Sequence, residues 1–255
     1  MRIVIIGGTG LIGRRVGEIL RESGHEVVAA SRSTGVNVVT GEGLDEVLRG
    51  AHVVVDVPNS PSFDDGPVME FFRSSTQNLV AAGKNAGVRH HVVLSIVGTD
   101  RLPGIGYMRA KTRQEEIVRA SGIPHTIVRA TQFFEFISAL ADGATDGDVV
   151  RLAPVLMQPI AAADVSSALA RIAIEDAANE VVELAGPEAV RLAEVAAELL
   201  QATGDARRVV PDMAVGYFGG AVTDESLTPG HDDRVDRQLR GTTTFSDWLN
   251  STVRR

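Results

Sequence analysis

The chain has 255 residues and no cysteine. Disulfides, thiolate nucleophiles and cysteine-ligated zinc or iron–sulfur centres are therefore excluded. Aromatics are scarce, 4% of residues with one Trp and two Tyr, so a place where several gather carries information. Long apolar runs are missing as well. No stretch approaches the ~18 apolar residues of a membrane span, and Ile3–Ile6 runs too soon into glycine to make the core of a signal peptide. Positive charge is not in excess: 25 Lys and Arg stand against 33 Asp and Glu, a formal net charge of −8. No basic field draws the protein to nucleic acid or acidic lipid. A cytoplasmic protein acting on a small molecule, without nucleic-acid or membrane partners, is the expectation.

What is present is an ordinary globular composition, 44% hydrophobic and 23% charged, arranged in two alternating periods. Arg2–Ile6, Glu26–Ala30, Val36–Val39, His52–Val57, His91–Ile96 and His125–Arg129 are short runs rich in Val and Ile, the pattern of strands buried on both faces. Helical stretches lie between most of them: Leu11–Ser23, Leu44–Arg49, Val68–Asn85 and Met108–Ser121, followed by Gly24, Gly50, Gly87 and Gly122 as stops. This repetition predicts an α/β fold, a Rossmann-type doubly wound parallel sheet with helices on both sides. After about residue 131 the pattern loosens. A turn leads into a helix with Asp164 as its expected N-cap, a strand and an Ala/Leu helix surround a Gly-Pro break, and Thr244–Leu249 closes the chain as a helix anchored by Trp248. Residues 204–242 have little periodicity. The division expected is a nucleotide-binding domain over 1–150 and a smaller C-terminal substrate lobe over 151–255, interleaved with the sheet.

The first strand ends in "GGTGLIG", with Gly7, Gly10 and Gly13 three residues apart. A tight reversal, a close approach to a pyrophosphate and a helix packed against the sheet each favour a residue without Cβ. The helix that opens near Gly10 then aims free N–H groups and its positive end at the phosphates. Thr9, Leu11 and Ile12 complete the turn. The second strand ends in "AASRS", where an NAD site would carry an acid for the ribose hydroxyls. Ser31 and Arg32 stand there instead, and a guanidinium pairs with a 2′-phosphate, which favours NADP(H) over NAD(H). The alternative for Arg32 is a solvated loop cation. Arg14 and Arg15 are further candidates for phosphate contact.

The Gly7-x-x-Gly10-x-x-Gly13 spacing resembles the short-chain dehydrogenase/reductase superfamily in its extended and atypical branches. "STQNLVAAGKNAGVRHHVVLSIVG" is similar to the helix and strand that lead to that superfamily's active-site serine. "GIPHTIVRATQFFEF", "QPIAAADV" and "LAGPEAVRLAEVAAEL" resemble the NmrA-like, NAD(P)H-binding atypical members. The resemblance covers residues 1 to about 200. It implies the fold and the cofactor, but this branch holds reductases, isomerases and proteins that only sense the nucleotide.

"LSIVGTDRLPGIGYMRAK" puts Ser95 at a strand end, Tyr107 twelve residues on, and Lys111 four beyond. Tyr-x-x-x-Lys places both side chains on one helix face. A free tyrosine titrates near 10 and is a poor acid at neutral pH, and a neighbouring ammonium lowers that value. The resemblance implies Tyr107 as proton donor, Lys111 as its modulator and ribose anchor, and Ser95 as partner of the substrate oxygen. It also implies that Val57, Pro58 and Asn59 border the nucleotide, and that Gln132, Phe133 and Phe136 line the substrate cleft. The phenylalanines, with Phe134, either wall a pocket for an apolar or aromatic substrate or fill the core. The superfamily's asparagine has no secure match, and Asn78 is expected to face solvent or the sheet. Glu115–Glu116 reads as a solvated helix face. "RHH" at 89–91 reads as a strand entrance and "GHDDRVD" near 230 as a loop, neither with a convincing metal-ligand set.

The function expected is NADP(H)-dependent hydride transfer to a small carbonyl, enone or quinone, by a monomer or homodimer. The alternative is an NmrA-like redox sensor that binds the nucleotide without turnover.

Overall fold

The structure is a computed structural model that describes residues 1–230 and 235–253. His231, Asp232 and Asp233 of the "GHDDRVD" stretch lie outside the described residues. The strands are β1 (Arg2–Ile6), β2 (Glu26–Ala30), β3 (Val53–Asp56), β4 (His90–Ile96), β5 (His125–Ala130), β6 (Thr145–Asp146), β7 (Val149–Leu152), β8 (Leu156–Met157), β9 (Glu180–Ala185), β10 (Val190–Arg191), β11 (Arg208–Pro211) and β12 (Arg237–Arg240). The helices are α1 (Leu11–Glu22), α2 (Leu44–Val47), α3 (Asp65–Ala86), α4 (Gly106–Ala120), α5 (Ile137–Gly143), α6 (Ala162–Ile174), α7 (Leu192–Ala202) and α8 (Phe245–Val253).

Seven strands form one parallel sheet in the order β12-β9-β5-β4-β3-β1-β2. Burial on both faces explains why β1 and β3 read as unbroken Val/Ile runs. On one face α1 and α6 cover Ile3, Ile5, Val53, Val55, Val92 and Val128; on the other, α2 and α3 cover Val4, Ile6 and Val54. The chain leaves β1 toward β2 on one side and returns to β3 on the other, which opens a crevice between the carboxyl ends of β1 and β3. Ligands of doubly wound sheets bind at such switch points.

The expected strand at Val36–Val39 is a loop. Gly35, Gly41 and Gly43 bend the chain with positive φ, Asn37 Oδ1 accepts from Val39 N at 3.1 Å, and Asn37 pairs with Glu42. Asn78 on α3 pins this loop, donating from Nδ2 to Val38 O at 3.1 Å and Val39 O at 2.8 Å. Its half-buried side chain is turned to this loop and not to the cleft. Val36 still buries its side chain beneath the sheet, so the apolar run serves packing rather than pairing.

The C-terminal half contributes β9 and β12 to the main sheet, and builds a second core from α5, α7, α8 and the short strands β6–β8, β10 and β11. Asp164 does not cap α6. The N-cap is Ala161, and the carboxylate of Glu135 accepts from Ala162 N at 3.1 Å. Asp164 instead accepts from Thr242 N and Thr243 N at 2.8 and 2.9 Å, tying the closing loop to α6. Trp248 donates to Glu135 Oε1 at 3.2 Å and packs on Phe134 and Phe245. Among the described residues, no helix is long and apolar enough to cross a membrane, and no cluster of acidic and histidine side chains is arranged to hold a metal.

Candidate active site

A cavity of about 620 Å³ runs along the carboxyl ends of β1, β3, β4 and β5. At one end is the glycine turn. Gly7 has φ +78°, and a Cβ there would lie 2.8 Å from Pro58 N; a Cβ on Gly13 would lie 2.4 Å from Gly7 O. Only glycine lets α1 pack on the turn and the end of β3 crowd against it. Gly10 is the N-cap of α1 and no side chain caps the helix, which leaves its first N–H groups for an anion. Leu11, Ile12, Val57 and Asn59 line the cavity beside it. Thr9 is exposed and its carbonyl accepts from Arg14 at 3.3 Å. The turn thus has the cradle a dinucleotide pyrophosphate requires, and these residues fit one.

At the end of β2, the Ser31 backbone N–H donates to Thr34 Oγ1 at 2.8 Å, and the two serine hydroxyls of Ser31 and Ser33 lie 2.8 Å apart. Arg32 is exposed at the first position of this small turn.

Tyr107, on the first turn of α4, lines the cavity, and its hydroxyl donates to Asn59 Oδ1 at 2.6 Å. Desolvation pushes the Tyr107 phenol up from its ordinary value, the opposite of the direction expected from an adjacent ammonium. Lys111 explains this. Its ammonium donates to Leu94 O at 2.8 Å and to Gln114 Oε1, and sits 4.3 Å from the centre of the Phe72 ring. Gln114 passes the connection to Asp56 at 3.1 Å, and His91 closes the chain at 3.4 Å from the same carboxylate oxygen. Burial pushes Lys111 down to about 8 against the opposing pull of Asp56 and Glu115. Lys111 lies behind the cleft wall and is not among the residues lining it.

Ser95 does line the cavity, but its hydroxyl donates to Glu115 Oε1 at 2.6 Å. Glu115 is not a solvated residue: it is fully buried and bonded by Arg129 Nη2 at 2.8 Å, Arg129 Nε at 2.9 Å and Arg119 at 2.9 Å. A buried carboxylate is tolerable only with such partners, and a helix-face reading cannot see the arginine that arrives from β5.

Gln132 follows β5 and lines the cavity with Phe133 and Phe136, while Phe134 is buried in the second core. Both polar atoms of the Gln132 side chain are buried without a hydrogen-bond partner. Among the lining residues that escape sequence reasoning are three aromatics, Phe63, Tyr217 and Phe218. Phe63 stacks on Tyr107 at 5.3 Å, and Phe218 lies 6.2 Å from Phe63 and 6.3 Å from Phe136. Phe63 is a lone aromatic in a Ser/Pro/Asp loop, and Phe218 follows Tyr217 in a glycine-rich one; the available signal was "GYFGG", two bulky residues among glycines.

A protein-family profile described as NAD(P)H-binding matches residues 7–176. The chain belongs to this family. The chain is 32% identical over 219 residues to a (4-alkanoyl-5-oxo-2,5-dihydrofuran-3-yl)methyl phosphate reductase from Streptomyces griseus, covering 79% of this chain and 74% of that one. It is 26% identical over 149 residues to the photosystem II assembly factor Ycf39 of Cyanophora paradoxa, covering 53% of this chain and 46% of that one, so it spans less than half of that relative's length. A dTDP-4-dehydrorhamnose reductase from Clostridium acetobutylicum superposes over all of both chains with a TM-score of 0.75 at 15% identity, a likeness of fold. Its relatives place this NAD(P)H-binding protein, which has the Rossmann fold, among the NAD(P)-dependent oxidoreductases.

Proposed function

We propose that the chain is an NADPH-dependent reductase of a conjugated carbonyl compound, an enone or quinone bound in the cleft, with Tyr107 as proton donor. The observation that carries this is the Tyr107 hydroxyl, held by Asn59 in the wall of the cavity whose other end is the uncapped mouth of α1. When bound, NADPH supplies the hydride. Arg32, exposed at the end of β2, supports the choice of NADP(H) through its 2′-phosphate. Tyr107 holds the substrate oxygen and gives it a proton as negative charge develops there. The Ser95 hydroxyl donates to the buried carboxylate of Glu115, and Lys111 lies behind the cleft wall. The acid is therefore the Tyr107 phenol, of raised pKa, once its proton turns from Asn59 to the substrate oxygen. A substrate whose own conjugation spreads the charge suits such a site better than an isolated ketone. The dihydrofuranone named for the Streptomyces griseus relative is of this kind. Phe136, Tyr217 and Phe218 border the cleft on the substrate side.

A second reading, nucleotide binding without turnover, is favoured by the same engagement of Ser95 and Lys111. NADPH oxidation by wild type and Tyr107→Phe across enones, quinones and simple ketones separates the two. Turnover of conjugated substrates that falls on the order of a hundredfold in the variant, with NADPH binding retained, is expected. Tight NADPH binding with no reduction of any conjugated carbonyl compound would replace the enzyme with the sensor.

A further inference from the structure

We infer that the outer half of the cleft is a subsite for an uncharged, apolar tail on the substrate, and that Phe218 sets which tails it accepts. This rests on the reading of the cleft as a substrate site. Phe63, Phe136 and Phe218 come from three separate segments and meet beside Tyr107, with centroids 6.2–6.4 Å apart. Phe63 and Phe218 are also among the most exposed large hydrophobics, 48% and 54% accessible, so the ring surface they show is not spent on the core. In a chain this poor in aromatics, such exposed surface at a cavity mouth marks a place where something apolar is buried.

The backbone carries a second, independent sign. Phe218 has φ +47°, a left-handed conformation that bulky side chains avoid, in the tight turn where Tyr217 and Gly220 exchange N–H···O bonds of 2.9 Å. Glycine would fit that position without strain, and its neighbours Gly216 and Gly219 are glycines with positive φ. A strained aromatic held out over the cavity is explained by what its ring touches rather than by the turn.

Charge selects the kind of tail. Among the described residues that line the cavity there is no lysine, arginine or histidine, and the lone charged group, Asp65, is paired with Arg109 at 2.5 Å, which neutralises the cation at the cleft's edge. The phosphate in the name of the Streptomyces griseus relative's substrate would find no unpaired cation among these residues, whereas its alkanoyl group would find rings. The substrate class is therefore a neutral conjugated carbonyl compound with an alkyl or aryl tail.

Saturated γ-lactones of increasing alkyl length test this by calorimetry on the NADP⁺-loaded protein, because their binding is read without turnover. Each added methylene should tighten binding about threefold, somewhat below the fourfold of full burial at ~0.8 kcal/mol per CH₂. A tail ending in phosphate should bind at least tenfold more weakly than the alkyl tail of equal length. Phe218→Gly should abolish the dependence on length while melting above Phe218→Ala, since only glycine relieves the backbone. A flat length series in wild type, equal binding of the phosphorylated tail, or an unchanged slope in Phe218→Gly would each overturn the proposal. Failure of NADPH oxidation with a steep length series would instead refute the reductase reading and leave the subsite standing.

Discussion

Replacing Gln132 by methionine should stabilise the free protein and damage the loaded one. The Gln132 amide oxygen and nitrogen are both buried and unpartnered, at 6% residual exposure. A buried amide without hydrogen bonds costs about 1–3 kcal/mol in proteins. Methionine has a similar unbranched shape and removes that cost without opening a cavity. For a chain of this size, one kcal/mol moves the melting temperature by about 2–4 °C, so the free variant should melt roughly 5 °C higher. With ligand bound the sign reverses. Gln132 lines the cavity, and when ligand turns its side chain toward it the amide offers an acceptor and a donor side by side; losing two bonds of about 0.5–1.5 kcal/mol each weakens ligand by roughly 5- to 150-fold. Scanning fluorimetry of free and NADPH-saturated protein, with kcat/KM on an enone, reads both effects. A free Gln132→Met protein that melts below wild type would refute the reasoning, since it would mean the amide is satisfied before any ligand arrives.

Three other expectations follow from single contacts. Arg32→Ala should weaken NADPH about tenfold, the value of one exposed charge-assisted pair, and leave NADH nearly unchanged, as titration of each nucleotide would show. Glu115→Gln leaves Arg129 and Arg119 short of a charge and should cost about 3–5 kcal/mol, read as a fall in melting temperature on the order of 10 °C. Burial, with the neighbouring charge of His91 next, pushes His90 down to about 4. The unfolded chain therefore binds the extra proton first, stability falls as pH drops from 6.5 toward 4, and the loss is on the order of 3 kcal/mol. Denaturant titrations of wild type and His90→Gln at pH 7 and 4 should show that slope flattened in the variant.

Much of the nucleotide half is legible because local pattern and global fold agree there. Arg2–Ile6 and Glu26–Ala30 are strands with the expected bounds, and Gly24, Gly50, Gly87 and Gly122 all take positive φ behind their helices. Val36–Val39 misleads because an apolar run reports burial, not pairing; Asn37 and Asn78 claim its backbone. What local sequence does not show is long-range. The pairing of β9 with β5 and β12, the arginine from β5 that makes Glu115 a buried anion, and the Glu135 carboxylate that displaces Asp164 as cap all join residues far apart in the chain. The site follows the same division. Tyr107 and Gln132 could be picked from motif and position, but Phe63 and Phe218 meet only through two loops, and the direction of Lys111 depends on Gln114 and Asp56.

A conjugated carbonyl compound whose oxygen is served by Tyr107 takes the hydride at the carbon β to the carbonyl, so that negative charge reaches the oxygen through the double bond. NADPH carrying deuterium at the transferring C4 position, incubated with an enone and the protein, tests this in one product analysis by mass spectrometry and NMR. One deuterium is expected in the product, on the carbon β to the carbonyl. Deuterium on the carbonyl carbon itself, or NADPH consumed with no label in the product, would contradict it.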